Sequence, residues 1–471
     1  MGFREKRLLL GLVLTGISGM MGMHTASAAV LAEVTGNHVT IAGNTALGPN
    51  GTLAANLYYP GAGQPQATES GDLYVHDNSV TVSGRTVYTA VSGVQVVPSF
   101  ALSDDGSVRG LVRIENNAAT VENSNTSGGA VYAVHDLTDN SNGKDSSSLA
   151  ASGNRLTITN SQVGEVGHVT LEGPYINSRN IIQNNVTAVA NSTLQGGLYG
   201  TVQHYHRPFG TLERLGNTIT VTDSTVGSGY YGFMGSFING TAKTFTSENN
   251  TLTFSHSVSK GIYSIQDYVY GTTGSFQNNT LRLENGSKAY VVVGENFNNA
   301  DPSDTSSSST MTGNTVIITG GSTAGYASTA ESGDTNGEST ASGNRLTVAD
   351  GSTIRFGAAA VTTGTAENNR ISLEDSTAQA LIAGEAVGSG AADGNIVSLS
   401  GSARVVPAEE LTALDAAQSA YGAVTGSSPL VIAGYTESGT ASNNEVWASG
   451  EADLSRADVY GARKGDGTKP C

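Results

Sequence analysis

The sequence predicts an all-β chain wound as a parallel β-helix of about thirteen irregular repeats near 30 residues each. Three observations predict it: a turn-rich composition, a short motif ending in Asn that recurs along the chain, and alternating apolar residues after each copy. Gly (61), Ser (53), Thr (52) and Asn (36) fill about two-fifths of the 471 residues, while charged residues are 13% and aromatics 6%. These four residue types are poor in helix interiors, which excludes a mostly helical fold. With 38% hydrophobic residues and few charges, the chain can still bury a core and is not read as disordered.

The motif is a Gly-Asn, Asn-Asn or, once, Asp-Asn doublet. Its second residues are Asn37, Asn78, Asn117, Asn154, Asn185, Asn217, Asn250, Asn279, Asn314, Asn344, Asn369, Asn395 and Asn444, at spacings of 25 to 49 residues. Periods centred near thirty belong to solenoid repeats. The Asn is followed by x-apolar-x-apolar, as in Asn217-Thr-Ile-Thr-Val and Asn279-Thr-Leu-Arg-Leu. That alternation is a strand with one buried face. A small polar residue and then Ser come next, as in Asn160-Ser161, Asn191-Ser192, Asp223-Ser224, Gly286-Ser287, Gly351-Ser352, Asp375-Ser376 and Gly401-Ser402. Such residues bond their own backbone, tolerate left-handed conformations and turn the chain. A second extended piece follows and leads to the next doublet. One unit cannot bury its own apolar row, so units must stack. At about 4.8 Å per stacked strand, thirteen coils span roughly 60 Å if each unit makes one turn, and twice that if it makes two.

Parity places the Asn. Residues i, i+2 and i+4 of a strand share a face, so Asn217 points the same way as Ile219 and Val221. If the apolar face is internal, the Asn is internal and must be hydrogen-bonded. Two arrangements satisfy it: an asparagine ladder running from coil to coil, or a side chain that merely caps its own turn. The longest departure from the repeat is Pro407 followed by Ala-Glu-Glu-Leu-Thr-Ala-Leu-Asp, which predicts a short helix over 407–420. Polar insertions at 139–148 and 301–309 should bulge from one corner, and 462–471 reads as a polar tail.

Residues 1–28 read as a signal peptide: Arg4, Lys6 and Arg7, then the apolar Leu8–Ile17, then Ala26-Ser27-Ala28. The β-solenoid domain is 29–461. The only cysteine is Cys471, which excludes an internal disulfide and a Cys-based metal site. A net charge of −17 repels phosphate backbones, so no nucleic-acid partner is expected.

The units Asn-x-apolar-x-apolar, Gly/Asp/Asn-Ser, Tyr-Gly and Gly-Thr-Ala-x-Asn-Asn, behind a signal peptide, resemble the passenger regions of Gram-negative autotransporters over about residues 36–461. The resemblance implies a right-handed β-helix, secreted across the inner membrane and held outside a Gram-negative-type cell. It implies an adhesin-like scaffold without enzymatic activity, contacting host or neighbouring-cell surface molecules, protein or glycan. Those proteins also carry a C-terminal outer-membrane barrel. Nothing after Asn444 reads as such strands, so the chain reads as a passenger without its translocator.

β-Helices also carry polysaccharide lyases and hydrolases, and a carbohydrate-active enzyme is the alternative. The acidic pairs Asp104-Asp105, Glu409-Glu410 and Asp301/Asp304 have no Arg or His at strand spacing on both sides. His204 and His206 could share a strand face and grip a metal, but no third ligand is visible. No catalytic, cofactor or metal residue is therefore assigned. An outward Thr row suited to ice is interrupted by Arg155, Arg282, Glu284, Arg345, Arg370 and Glu374. Binding is expected at Tyr230, Tyr231, Tyr268 and Tyr270.

Overall fold

The computed structural model describes residues 29–465, apart from 44–50, 62–63, 102, 138–145, 172–177, 204–208, 228–232, 241, 270–272, 300–306, 334–338, 417 and 419–427. The described chain is a parallel β-solenoid with three sheets along its length. The first sheet has thirteen strands, from Val30–Thr35 to Ala441–Ser442. The second also has thirteen, from His38–Ala42 to Glu445–Ala448. The third runs from Thr52–Tyr59 to Asp458–Lys464 and has nineteen, because several coils contribute a short and a long piece, as Gln162–Val163 and Val166–Leu171 do. Each strand pairs in parallel with its equivalent one repeat away; Arg155–Thr159, for example, pairs with Ala118–Glu122 on one side and Val186–Ala190 on the other. One repeat is thus one turn, and the thirteen Asn-centred units are thirteen coils.

The core consists of columns. On the second sheet Leu156, Thr187, Ile219, Leu252, Leu281 and Val316 succeed one another at one inward position. Ile158, Val189, Val221, Phe254, Leu283 and Ile318 succeed one another two residues on. All of these are buried. Each apolar side chain rests on its equivalents above and below, and burial of one such side chain stabilises the stack by about 1.5–3 kcal/mol. No coil obtains that burial alone, which is why short x-apolar-x-apolar strands suffice here.

The region after Val405 differs from the helix read over 407–420. In place of one continuous helix, Ala408–Glu410 form a 3-10 turn and α-helical backbone returns at Ala416 and Gln418. Leu411 and Leu414 leave the turn to pack with Val406. A capping-box exchange follows at Asp415, whose N–H donates to Gln418 Oε1 (3.2 Å) while the Gln418 N–H donates to Asp415 Oδ1 (2.9 Å). The segment turns back along the rod: Gln418 Nε2 donates to Ala289 O (2.9 Å), Thr323 O (3.0 Å) and Thr323 Oγ1 (2.8 Å). Gly325 permits this approach, because a Cβ there would lie 2.2 Å from Gln418 O. Alongside, the outer face of the third sheet carries its own buried apolar cluster of Phe356, Ala380, Ile382, Leu430, Ile432 and Tyr435, separate from the inner core. The tail also begins later than the sequence suggests, since 462–464 belong to the last strand. Among the described residues no helix is long and apolar enough to cross a membrane.

Candidate functional site

Two corners flank the second sheet, and both obey one rule: a residue with positive φ, then an inward polar residue. At the first corner the residue before each repeat Asn has φ between 53° and 69°, and in every coil it is Gly, Asn or Asp. Those residues tolerate the left-handed region. The kink leaves the N–H of the following Asn without a backbone acceptor, and a side chain supplies one. Asn154 N and Nδ2 both donate to Asn185 Oδ1 (2.9 and 3.0 Å). Its Oδ1 accepts from Asn117 N and Nδ2 (3.0 and 3.1 Å), and its Nδ2 also donates to Ile114 O in the coil before (3.0 Å).

The paired links repeat from Asn37 to Asn78, then through Asn117, Asn154, Asn185, Asn217, Asn250, Asn279, Asn314, Asn344, Asn369 and Asn395 to Asn444. The structure thus brings all thirteen sequence-singled Asn residues into one column, every N···O distance in it between 2.9 and 3.2 Å.

The second corner holds a column that the sequence reading treated only as turns. Ser124 N donates to Ser161 Oγ, Ser161 N to Ser192 Oγ, Ser192 N to Ser224 Oγ and Ser224 N to Ser257 Oγ, at 2.9–3.1 Å. Each hydroxyl returns a bond to the carbonyl two residues before it, as Ser161 does to Thr159 O (2.7 Å). Aligning the Ser-x-apolar strings Ser161-Gln-Val, Ser192-Thr-Leu and Ser224-Thr-Val would have found it, because Ser and apolar residue share a face. Arg85 and Glu451 stand in the Ser place of their coils, and Ser402 departs in another way. It is exposed, its N–H bonds Asp375 Oδ1 (2.8 Å), and Ala403 takes the inward place.

Outside this second corner lies a groove of about 740 Å³ crossing four coils. Asn123, Asn160 and Asn191 form one row, with φ of 48–49° that turns their side chains out. Asn125, Gln162 and Thr193 form the next row, in register on the short strands of the third sheet. The amides touch along the rod: Asn160 Nδ2 donates to Asn123 Oδ1 (3.3 Å), and Asn125 Nδ2 to Gln162 Oε1 (3.4 Å). Arg85 and Thr86 close one end, where Thr86 forms a single bridge with Asn125, and Tyr88, 76% exposed, stands two residues beyond Thr86 across the buried Val87. At the other end the outer row continues into Asp223, which His256 Nδ1 approaches to 2.5 Å.

The interior holds titratable groups that do not repeat. His168 Nδ1 lies 2.6 Å from Thr187 Oγ1, and burial pushes the imidazole pKa down to about 3. Arg214 occupies an inward place taken by Ile182 in the previous coil, and its Nη1 donates to Ser264 O (2.8 Å). Glu295 is buried too. Burial raises its pKa to about 7, with the Arg214 charge and the Ser264 hydroxyl opposing. The small cavity beside His168 and Arg214 has room for about one water. Counting three residues back from each repeat Asn would have exposed Arg214, and Ser247 one coil on, as the polar places in a column with Val75, Ile114, Ala151, Ile182 and Phe276.

The other sequence candidates are dispersed. Asp105 is a loop carboxylate held down to about 2 by Ser107 and Ser103 hydrogen bonds. Glu410 pairs with Arg404 (3.2 Å) and Arg456. Residues 1–28, His204, His206, Tyr230, Tyr231, Tyr270, Asp301 and Asp304 lie outside the described residues, and Tyr268 is described only as part of the strand Val258–Val269. Among the described residues no three His, Cys, Asp or Glu side chains group as a metal site would need. No family model matches this chain, and no curated protein or solved structure matches it.

Proposed function

We propose that this chain is a secreted or surface-displayed β-solenoid of the autotransporter-passenger type, a non-enzymatic, adhesin-like rod. The observation that supports the reading is the division of labour in each coil. Cohesion is internal, in the Asn and Ser columns and the apolar core, so outward residues are free to serve recognition. The alternative, a carbohydrate-active enzyme, needs titratable groups that a substrate can reach. His168, Arg214 and Glu295 are sealed in the core, and the groove, apart from Arg85 at one end, is lined by amides and hydroxyls.

The test takes the secreted chain through two assays. Labelled rod incubated with epithelial and bacterial cells should show saturable binding that unlabelled rod competes away. Incubation with acidic polysaccharides, with and without calcium, should release no reducing ends or unsaturated products. Turnover that a chelator abolishes would overturn the proposal in favour of a lyase.

A further inference from the structure

From the groove on coils two to five we infer a binding site for an uncharged, extended glycan chain lying parallel to the rod axis. The inference rests on the adhesion reading and names the ligand class of that surface.

Four features of the groove select this ligand. The first is charge: between Arg85 at one end and Asp223 beyond the other, the lining is Asn, Gln, Ser and Thr. A polyanion needs several cations along its track, and a single Arg on a chain of net charge −17 does not supply them. The second is hydrogen-bonding character. Each primary amide offers two donors and an acceptor, which matches a sugar hydroxyl that both donates and accepts. The amides of Asn123, Asn160, Asn125 and Gln162 bond one another along the rows, and this sets their orientation before a ligand arrives.

The third is periodicity. Equivalent side chains recur at the coil rise, about 4.8 Å, and an extended pyranoside chain advances by about that much per sugar. One sugar can therefore meet the same pair of rows on each coil, whereas a peptide strand would drift out of register. The fourth is Tyr88, two residues past the groove-lining Thr86, whose exposed ring, set against Gly128 of the next coil, can take the C–H face of a pyranose that runs past the end of the groove. A protein partner would call for buried apolar anchors, and the groove offers none along its floor.

The probes are cellohexaose, mannohexaose and chitohexaose, with a galacturonate hexamer as the anionic control, titrated calorimetrically into the secreted chain. At least one neutral hexasaccharide should bind. Its affinity should rise from the disaccharide to the tetrasaccharide and then level off, because four coils line the groove, and it should survive 0.5 M salt. The double variant Asn160→Gly, Gln162→Ala should weaken it about tenfold, as should Tyr88→Ala. Gly keeps the positive φ at 160, and the strand spectrum of each variant confirms folding before titration.

Silence from all three neutral chains overturns the inference, as does binding that the variants leave unchanged. Preference for galacturonate that salt abolishes also overturns it. If the rod adheres to cells while both variants adhere equally and no neutral chain binds, the glycan site falls and the adhesion reading stands. Loss of cell binding altogether removes the reading on which it rests.

Discussion

Asn154 and Asn160 stand at the two ends of one five-residue strand, Arg155–Thr159, yet do opposite work. Asn154 is buried and bonded to the coils on either side. Asn160 faces solvent and leans on Asn123 at 3.3 Å. The difference lies in which residue carries the left-handed kink. At the first corner it is Gly153 (φ 65°), so the next residue, Asn154, turns inward. At the second it is Asn160 itself (φ 49°), and the inward place passes to Ser161. Residue type does not decide burial here; position relative to the kink does.

The largest effect follows from breaking the inward column. Asn154→Ala removes the acceptor for Asn117 N and Nδ2 and the donor to Ile114 O, all buried. Asn117 Nδ2 keeps its bonds to Val75 O and Glu115 O, so two buried groups lose their partner, and at about 1–3 kcal/mol for each the loss is about 2–6 kcal/mol. Long stacks need not unfold in one step, so the measurement is amide hydrogen exchange at 117 and 185 alongside the thermal midpoint. Unchanged protection at Asn117 would show that the column is decoration.

Repeated and unrepeated inward polar groups also differ, and pH separates them. The Asn column is neutral at every pH, whereas His168 and Glu295 titrate. His168 falls from 6.5 to about 3 on folding, so its contribution is present above pH 6.5 and lost as pH falls toward 3. Glu295 rises from 4.5 to about 7, so its contribution is present below pH 4.5 and lost as pH rises through 7. Between pH 4.5 and 6.5 the two slopes oppose, and stability from this pair is flat. Glu295→Gln should therefore make stability climb across that window by about 3 kcal/mol, and His168→Gln should make it drop by a similar amount. Denaturation midpoints at pH 4.5, 5.5 and 6.5 decide it; variants that both track the wild type would remove His168 and Glu295 from the balance.

The sequence reached further at the first corner than at the second, for a physical reason. Parity within Asn154, Leu156 and Ile158 sets the Asn inward without knowledge of neighbouring coils. It could not choose between a ladder and a local cap, because the acceptor that decides it, Asn185 Oδ1, is 31 residues away. Parity carried past Ile158 places Asn160 inward as well, which is wrong, because the positive φ resets the count and gives the place to Ser161. The groove was illegible for another reason. Its rows unite residues 31 to 37 apart that face outward, where no apolar pattern marks them. At 407–420 local signals favoured one helix from Pro407, but Leu411 and Leu414 pack with Val406 after the 3-10 turn and helical backbone returns at Ala416.

Smaller effects sharpen the contrast between the corners. Gly153→Ala puts a side chain at φ 65° with its Cβ 2.6 Å from Asn116 Oδ1. That oxygen ends a side chain that can swing away, so the backbone conformation sets a cost of about 1–2 kcal/mol. Gly153→Asn should be milder, as Asn stands at the same place in Asn116 and Asn184. Ser161→Ala should cost less again, about 1 kcal/mol, because the Ser hydroxyl accepts one bond and donates one where each Asn amide accepts two and donates two. Midpoint shifts in the order Asn154→Ala, Gly153→Ala, Ser161→Ala check the ranking, and a Ser161 loss equal to that of Asn154 would erase the distinction between the columns.

The smallest effect is expected at Asn160 and bears most on function. Asn160→Gly keeps the left-handed kink, deletes an exposed amide and ends one 3.3 Å contact with Asn123. Gly adopts positive φ without steric cost, and substitutions at exposed positions away from buried networks usually shift stability by no more than about 0.5 kcal/mol. The thermal midpoint should therefore stay within experimental error of the wild type, and Ser124 N should keep its exchange protection through Ser161 Oγ. A large loss of stability would mean that the outward amide row helps hold the coils together. It would then be a third structural column, and the second corner would have no side chains to spare for a ligand.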